Sequence, residues 1–473
     1  MLDRVFAQID DSFAATVERL KRLVRIPSCS FPGFDHAHID ASAADAVAWL
    51  RESGFPETRI ARLPGVLPYV IAKDHRAGPG KPTLLLYAHH DVQPPLRETL
   101  WRTPVFEPTE IAGRLYGRGT VDDKAGVAVH CASAAAWNAV AGAPPINLTV
   151  LIEGEEEIGS PHFAEFLRAH RDELAADCLV IADLANYDTG LPSLTTSLRG
   201  LVEAEVGLRA LRAPLHSGMW GGGVPDPTLG LCRLLATLTD GDGRIAIAGM
   251  HDSVRPPTPA EIAAWRRLPY DPDHFARMAG LAAGRGPADP VELHRRMWRE
   301  PALSVSCFQA GERGKTGNVI MDAAWARIGI RIVPDMKPER VRELLESHLR
   351  RHAPTDMELT ISGDENVTAW STVSDHPAFA AAGRALRRGY DVAPVLIGCG
   401  ASIPFVGEMT AALGGIPALL MGIEDPTCGA HAENESLHLG DFRKAIRAQA
   451  ALFVELGAAL ARHEGHCSPL RTT

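Results

Sequence analysis

Short, largely apolar runs at residues 83–87, 148–152 and 178–182 are each followed within two residues by a histidine or a carboxylate. Runs this short suit strands better than buried helices, and their lack of alternation marks strands covered on both faces. Between the first two, residues 126–140 carry a helical pattern. At the start, Val5, Phe6, Ile9, Phe13, Val17, Leu20 and Leu23 recur at helical spacing, predicting an amphipathic helix that ends near Pro27. Strand and helix patterns in alternation predict an α/β fold with a largely parallel sheet flanked by helices.

The pattern changes after Arg199-Gly200. Residues 201–208 alternate like a half-buried strand, 228–238 are helical, and 255–301 are rich in proline and charge without a usable motif. Strand (325–333), helix (338–351) and strand (357–361) patterns follow, describing a smaller α+β unit. From Pro377 the first pattern resumes, through a strand at 418–422 and a last helix at 441–462. The expected division is therefore 1–199 and 374–473 as one domain, with 200–373 inserted into it. A chain of 473 residues exceeds one compact core, which agrees with two domains.

The net charge of −10 disfavours nucleic acid or an anionic membrane as partner, since either would repel the protein. Residues 1–25 are charged throughout and hold no apolar run of signal-peptide length. No stretch approaches the roughly 18–20 apolar residues of a membrane span. The eight cysteines (Cys29, Cys131, Cys178, Cys232, Cys307, Cys399, Cys428, Cys467) include no C-x-x-C pair, so reduced thiols and a cytoplasmic location are expected.

Chemistry-bearing residues cluster where the strands should end. His89 and Asp91 close the first run; a histidine there offers a metal-ligating nitrogen, and Asp91 can hold its other ring nitrogen. Taken alone, the pair reads equally well as polar loop residues, and His90 points away as a structural residue. The glycine-rich Tyr116-Gly-Arg-Gly-Thr-Val-Asp122-Asp123-Lys124 leads into the helix. It lacks the order of a phosphate loop, and its aspartates would repel phosphate, whereas Asp122 suits a carboxylate shared by two cations. Glu153-Gly-Glu155-Glu156-Glu157 follows a buried strand. There neighbouring carboxylates can divide metal binding from proton transfer, although acidic runs are usually solvated faces. Asp183 and His431 follow further strands in the same way. Open α/β sheets place their sites at such strand ends. Five nitrogen and oxygen ligands, His89, Asp122, Glu157, Asp183 and His431, suit two divalent ions sharing a carboxylate.

The chain resembles the co-catalytic zinc metallopeptidases that include acetylornithine deacetylase, succinyl-diaminopimelate desuccinylase and carboxypeptidase G, and above all their cytosolic nonspecific dipeptidase and carnosinase branch. The motifs are Tyr87-Ala-His89-His90-Asp91-Val-Gln-Pro, Leu115-Tyr-Gly-Arg-Gly-Thr-Val-Asp122-Asp123-Lys124 and Glu153-Gly-Glu155-Glu156-Glu157-Ile-Gly-Ser. With them go Leu215-His216-Ser-Gly-Met-Trp-Gly-Gly, Ala401-Ser402-Ile-Pro and Gly429-Ala-His431-Ala-Glu-Asn-Glu, in the family's order along nearly the whole chain.

The resemblance implies that His89 and Asp183 hold one metal, Glu157 and His431 the other, and that Asp122 bridges them. Zinc is the implied metal, with manganese as alternative. It further implies that Asp91 orients His89 and that Glu156 is the general base. The inserted unit would be a lid that also forms a homodimer, with His216 reaching the partner's site to stabilise an oxyanion. Arg331 would clamp the substrate carboxylate, with Asn318 and Ser402 as polar substrate contacts. By themselves, His216 reads as a turn residue and Arg331 as a solvated one.

One departure matters. Where this branch carries an acidic residue three positions before Ser402, the chain has Cys399, and a thiol cannot pair with a substrate ammonium as a carboxylate can. A small peptide is the expected substrate, and an N-acyl amino acid the alternative. A metal-containing binding protein without catalysis is a third reading; it would lack the base or the bridging carboxylate, and Glu156 and Asp122 are both present.

Overall fold

The computed structural model describes residues 1–363, 366–403 and 405–461. Pro404, Arg462 and Cys467 lie outside them. The chain divides into two compact units: Met1–Thr196, Thr372–Ile397 and Phe405–Thr473 form one, Ser197–Ser371 and Gly398–Pro404 the other.

The first unit is built on a sheet whose strands run in the order Glu57–Ala61, Tyr69–Asp74, Asn147–Glu153, Thr83–His89, Cys178–Ile181, Ala418–Met421, Ser193–Leu198. Its centre is parallel: Thr83–His89 pairs that way with both Asn147–Glu153 and Cys178–Ile181, and Cys178–Ile181 with Ala418–Met421. The outer pairs are antiparallel, so the sheet is mixed. Every residue of Asn147–Glu153 and Cys178–Ile181 is buried, which explains their largely apolar runs without alternation. Helices Leu2–Val24, Lys124–Ala141, Pro377–Tyr390 and Leu439–Leu460 pack around it, their apolar sides forming one core with the strands. The last two approach closely at Gly389, where a Cβ would fall 2.4 Å from the Ala448 nitrogen, so only glycine fits.

In the second unit an antiparallel sheet has the order Ala302–Gln309, Ala323–Ile332, Gly200–Arg209, Glu358–Ser362. Gly200–Arg209 alternates buried with half-buried residues. Its buried face (Val202, Ala204, Val206, Leu208) shares a core with Leu231 and Leu234 of helix Pro227–Ala236 and with Leu345 and Leu349 of helix Pro338–His352.

The proline-rich stretch holds three short helices, Pro259–Trp265, Pro272–Met278 and Pro290–Trp298. Each starts with proline at its first position, behind a capping Thr258, Asp271 or Asp289.

Among the described residues no cysteine is joined in a disulfide, and Cys29, Cys131, Cys178 and Cys428 are buried. No helix among them is long and apolar enough to cross a membrane.

Candidate metal centre

His89 is the last residue of its strand and is fully buried. Its Nδ1 lies 3.1 Å from the Asp91 carbonyl oxygen and 3.4 Å from Asp91 Oδ1, which leaves Nε2 as the outward nitrogen. Nε2 lies 3.1 Å from Asp122 Oδ1, 3.8 Å from Asp183 Oδ2 and 3.9 Å from Glu156 Oε2. The other oxygen of Asp122 faces the second histidine: His431 Nε2 is 3.0 Å from Asp122 Oδ2 and 3.3 Å from Glu157 Oε2. One carboxylate thus stands between two imidazoles. His431 has φ of +62°, a conformation uncommon outside glycine and concentrated at functional sites.

Local folding explains why these groups meet. Ser436–His438 pairs with Arg114–Tyr116, bringing the loop that carries His431 against the glycine-rich loop that carries Asp122. Glu435, fully buried, fastens the two: its carboxylate accepts from the backbone nitrogens of Gly119 (3.0 Å), Val121 (3.0 Å) and Asp122 (3.3 Å), and from Arg118 Nη1 (2.7 Å). Asp123, joined to Asp122 by a cis peptide bond, caps the following helix by accepting from Gly126. A Cβ at position 126 would lie 2.3 Å from Asp123 Oδ1, so the cap requires glycine.

The acidic run divides into two pairs. Glu153 accepts from Tyr69 (3.0 Å) and Tyr87 (2.7 Å) hydroxyls, and burial pushes it up to about 8. Glu155 accepts from the Leu67 nitrogen. These two are structural, whereas Glu156 and Glu157 face the centre. Asp91 holds their turn, its carboxylate accepting from the backbone nitrogens of Glu156 (3.3 Å) and Glu157 (3.0 Å) and from the Ser30 hydroxyl (2.7 Å). Its reach beyond His89 was not visible in the sequence. Glu157 in turn accepts from Gln93 N and Nε2.

The electrostatics are those of a cation site. Burial, reinforced by neighbouring carboxylates, raises Glu156 and Glu157 well above the usual carboxylate range, and Asp183 to about 6. Burial opposes charge on Asp122 as well, but its bonds to His431 and His89 hold it below that range. Burial also works against protonated His89, yet Asp122 and Asp183 raise it well above the ordinary histidine value. Three sets of donor atoms each lie within 4.8 Å of one another: His89, Asp122 and Glu157; His89, Asp123 and Asp183; Asp122, Asp183 and Glu424. Imidazole and carboxylate donors of this kind fit divalent metal ions.

Glu424 is an addition to the sequence-derived set, and burial followed by Asp122 and Asp183 raises it too. It follows a buried strand, Ala418–Met421, as Asp183 follows Cys178–Ile181, so the same signal marked it. Of the five expected ligands, His89, Asp122, Glu157, Asp183 and His431, all are gathered within the first unit, with Glu156 beside them.

The second unit holds the others. His216 is exposed and pairs with Val319, next to Asn318. Its Nδ1 accepts from the Gly218 nitrogen at 3.1 Å, so the ring proton sits on Nε2 and is available to donate. Arg331 Nη1 donates to Ser402 Oγ at 2.7 Å, and Cys399 Sγ accepts from the Ala401 nitrogen at 3.4 Å.

An α/β unit that collects imidazoles and mutually repelling carboxylates at its strand ends is the build of a metallohydrolase. Residues 85–455 match the model of peptidase family M20/M25/M40, and the chain belongs to that family. It is 30% identical over 463 residues to the Cys-Gly metallodipeptidase dug1 of Schizosaccharomyces pombe, covering 94% of this chain and 96% of that one. Among solved structures it is similar to the di-peptidase Dug1p from Saccharomyces cerevisiae, with TM-score 0.84 and 26% identity over 97% of this chain and 99% of that one. Human carnosine dipeptidase 1 gives TM-score 0.84 and 27% identity over 97% and 99%.

Glu435→Ala is expected to lower unfolding free energy by about 3–5 kcal/mol, because it strands the buried Arg118 charge. Denaturant titration of the metal-loaded protein measures this. Glu435→Gln, which keeps an acceptor, should fall between wild type and Glu435→Ala.

Proposed function

We propose that the protein hydrolyses the amide bond of dipeptides in the cytoplasm, as a homodimer with two divalent metal ions per subunit. Zinc is favoured and manganese is the alternative. The observation that carries this reading is Asp122, whose two oxygens lie 3.1 Å from His89 and 3.0 Å from His431. In this reading His89 and Asp183 would hold one ion, Glu157 and His431 the other, and Asp122 would be shared between them.

Bound divalent cations would act as Lewis acids and lower the pKa of water towards about 7. Glu156 takes a proton from the attacking water and delivers it to the leaving amine. Asp91 sets the orientation of His89 and of the Glu156–Glu157 turn. His216 of the partner subunit donates its Nε2 proton to the developing oxyanion. Arg331 holds the substrate carboxylate, and Asn318 and Ser402 make polar contacts to the substrate. In support of a homodimer, the edge strand Ala302–Gln309 exposes Val305 (44%) and Phe308 (41%), apolar residues on an unpaired edge that suit a second copy.

Cys399 favours a second reading, an N-acyl-amino-acid deacylase using the same centre, since a thiol gives an ammonium no counter-charge. Release of free amine from matched panels of dipeptides and N-acyl amino acids, with and without added Zn²⁺ or Mn²⁺, tests both. Metal-dependent release from dipeptides is expected. Cys399→Glu should shift the ratio of kcat/KM towards unblocked dipeptides, and a constant ratio would mean Cys399 is remote from the substrate amine.

A further inference from the structure

Two guanidiniums of the second unit stand at the same end of neighbouring strands. Arg199 immediately precedes Gly200, whose strand partner Ile332 follows Arg331. One loop holds both side chains. Arg199 Nε donates to the Gly400 carbonyl at 3.1 Å, and its backbone nitrogen donates to the carbonyls of Cys399 (3.3 Å) and Ala401 (3.1 Å). A Cβ on Gly400 would sit 2.9 Å from Arg199 Nη2, so the guanidinium packs closely against that glycine. Arg331 reaches the same loop through Ser402.

No carboxylate among the described residues comes within 4.0 Å of either guanidinium, although both are half-buried. Burial first, and the charge of Arg331 next, push Arg199 down to about 10. Like charges kept partly out of water without a counter-ion are costly, and such arrangements concentrate at binding sites. Among the described residues the Nη donors of Arg199, and the Nε and second Nη of Arg331, find no hydrogen-bond acceptor, which leaves them for one from outside.

We propose that Arg199 and Arg331 form a two-guanidinium anion site, and that the preferred substrate bears a second carboxylate besides its terminal one. This rests on the amide-hydrolase reading and names its substrate class: dipeptides or N-acyl amino acids with an acidic C-terminal residue. Arg331 takes the terminal carboxylate, and Arg199 determines specificity through the side-chain carboxylate.

The test compares Ala-Glu with Ala-Gln, which differ by one charge. The metal-loaded wild type should favour Ala-Glu at least about tenfold in kcat/KM, and Arg199→Gln should lower that ratio by about 10- to 100-fold, chiefly through KM. Cys399→Glu, which supplies an internal carboxylate beside Arg199, should lower it as well. An unchanged ratio in Arg199→Gln overturns the proposal and leaves Arg199 as a support of the 399–402 loop. If Arg199→Gln does not fold, inhibition of the wild type decides: N-acetylglutamate should bind at least about tenfold tighter than N-acetylglutamine, and equal inhibition overturns the proposal. Hydrolysis of Ala-Glu and Ala-Gln at equal kcat/KM by the wild type overturns this inference alone. Failure to hydrolyse any dipeptide or N-acyl amino acid overturns the amide-hydrolase reading and this inference with it.

Discussion

Glu156→Gln is expected to lower kcat by about 10²–10⁴-fold while leaving metal content near that of the wild type. The amide keeps the size of the side chain but cannot accept the proton of the attacking water. Metal should stay because Glu156 is the more remote of the two acids: its Oε2 lies 3.9 Å from His89 Nε2, whereas Glu157 Oε2 lies 3.3 Å from His431 Nε2. Glu157 is also aimed by two hydrogen bonds from Gln93 and belongs to a donor set with His89 and Asp122. Glu157→Gln should therefore lose metal as well as activity. Elemental analysis of both variants beside steady-state kinetics separates the two roles. Equal metal loss in the two would mean that neighbouring glutamates do not divide the work as proposed.

Mixing two inactive variants should restore activity if His216 serves the partner's site. Removal of an oxyanion donor typically costs about 10²–10³ in kcat, so His216→Ala and Glu156→Gln should each be nearly inactive as homodimers. After subunit exchange of equal amounts, roughly half the dimers are mixed. Each mixed dimer has one site with both groups intact, so roughly a quarter of all sites should be active. With Nδ1 of His216 accepting from the Gly218 nitrogen, Nε2 is left for donation. If His216 serves its own chain, no pairing places both groups in one site, and the mixture stays as inactive as its parents.

The sequence by itself determined the strands and the donor residues at their ends. A strand buried on both faces is apolar at most positions, so 83–87, 148–152 and 178–182 announced themselves locally. A histidine or carboxylate just beyond such a run stands at the strand end where a site can form, which made His89, Glu157 and Asp183 legible, and Glu424 could have been read the same way; Glu153, the first residue after its run, proved structural. The helices of the proline-rich stretch also had a local signal, the capping Thr-Pro or Asp-Pro pairs, which composition alone obscured. Other features depended on contacts distant in sequence. The bond from Glu435 to the Gly119 nitrogen spans 316 positions, and no window of sequence contains both ends. The same holds for Arg331 and Ser402, 71 positions apart. Local patterns record what one segment must bury. Which carboxylate aims a ligand, and which is the ligand, is decided only when separate loops supply the hydrogen bonds that each buried oxygen requires.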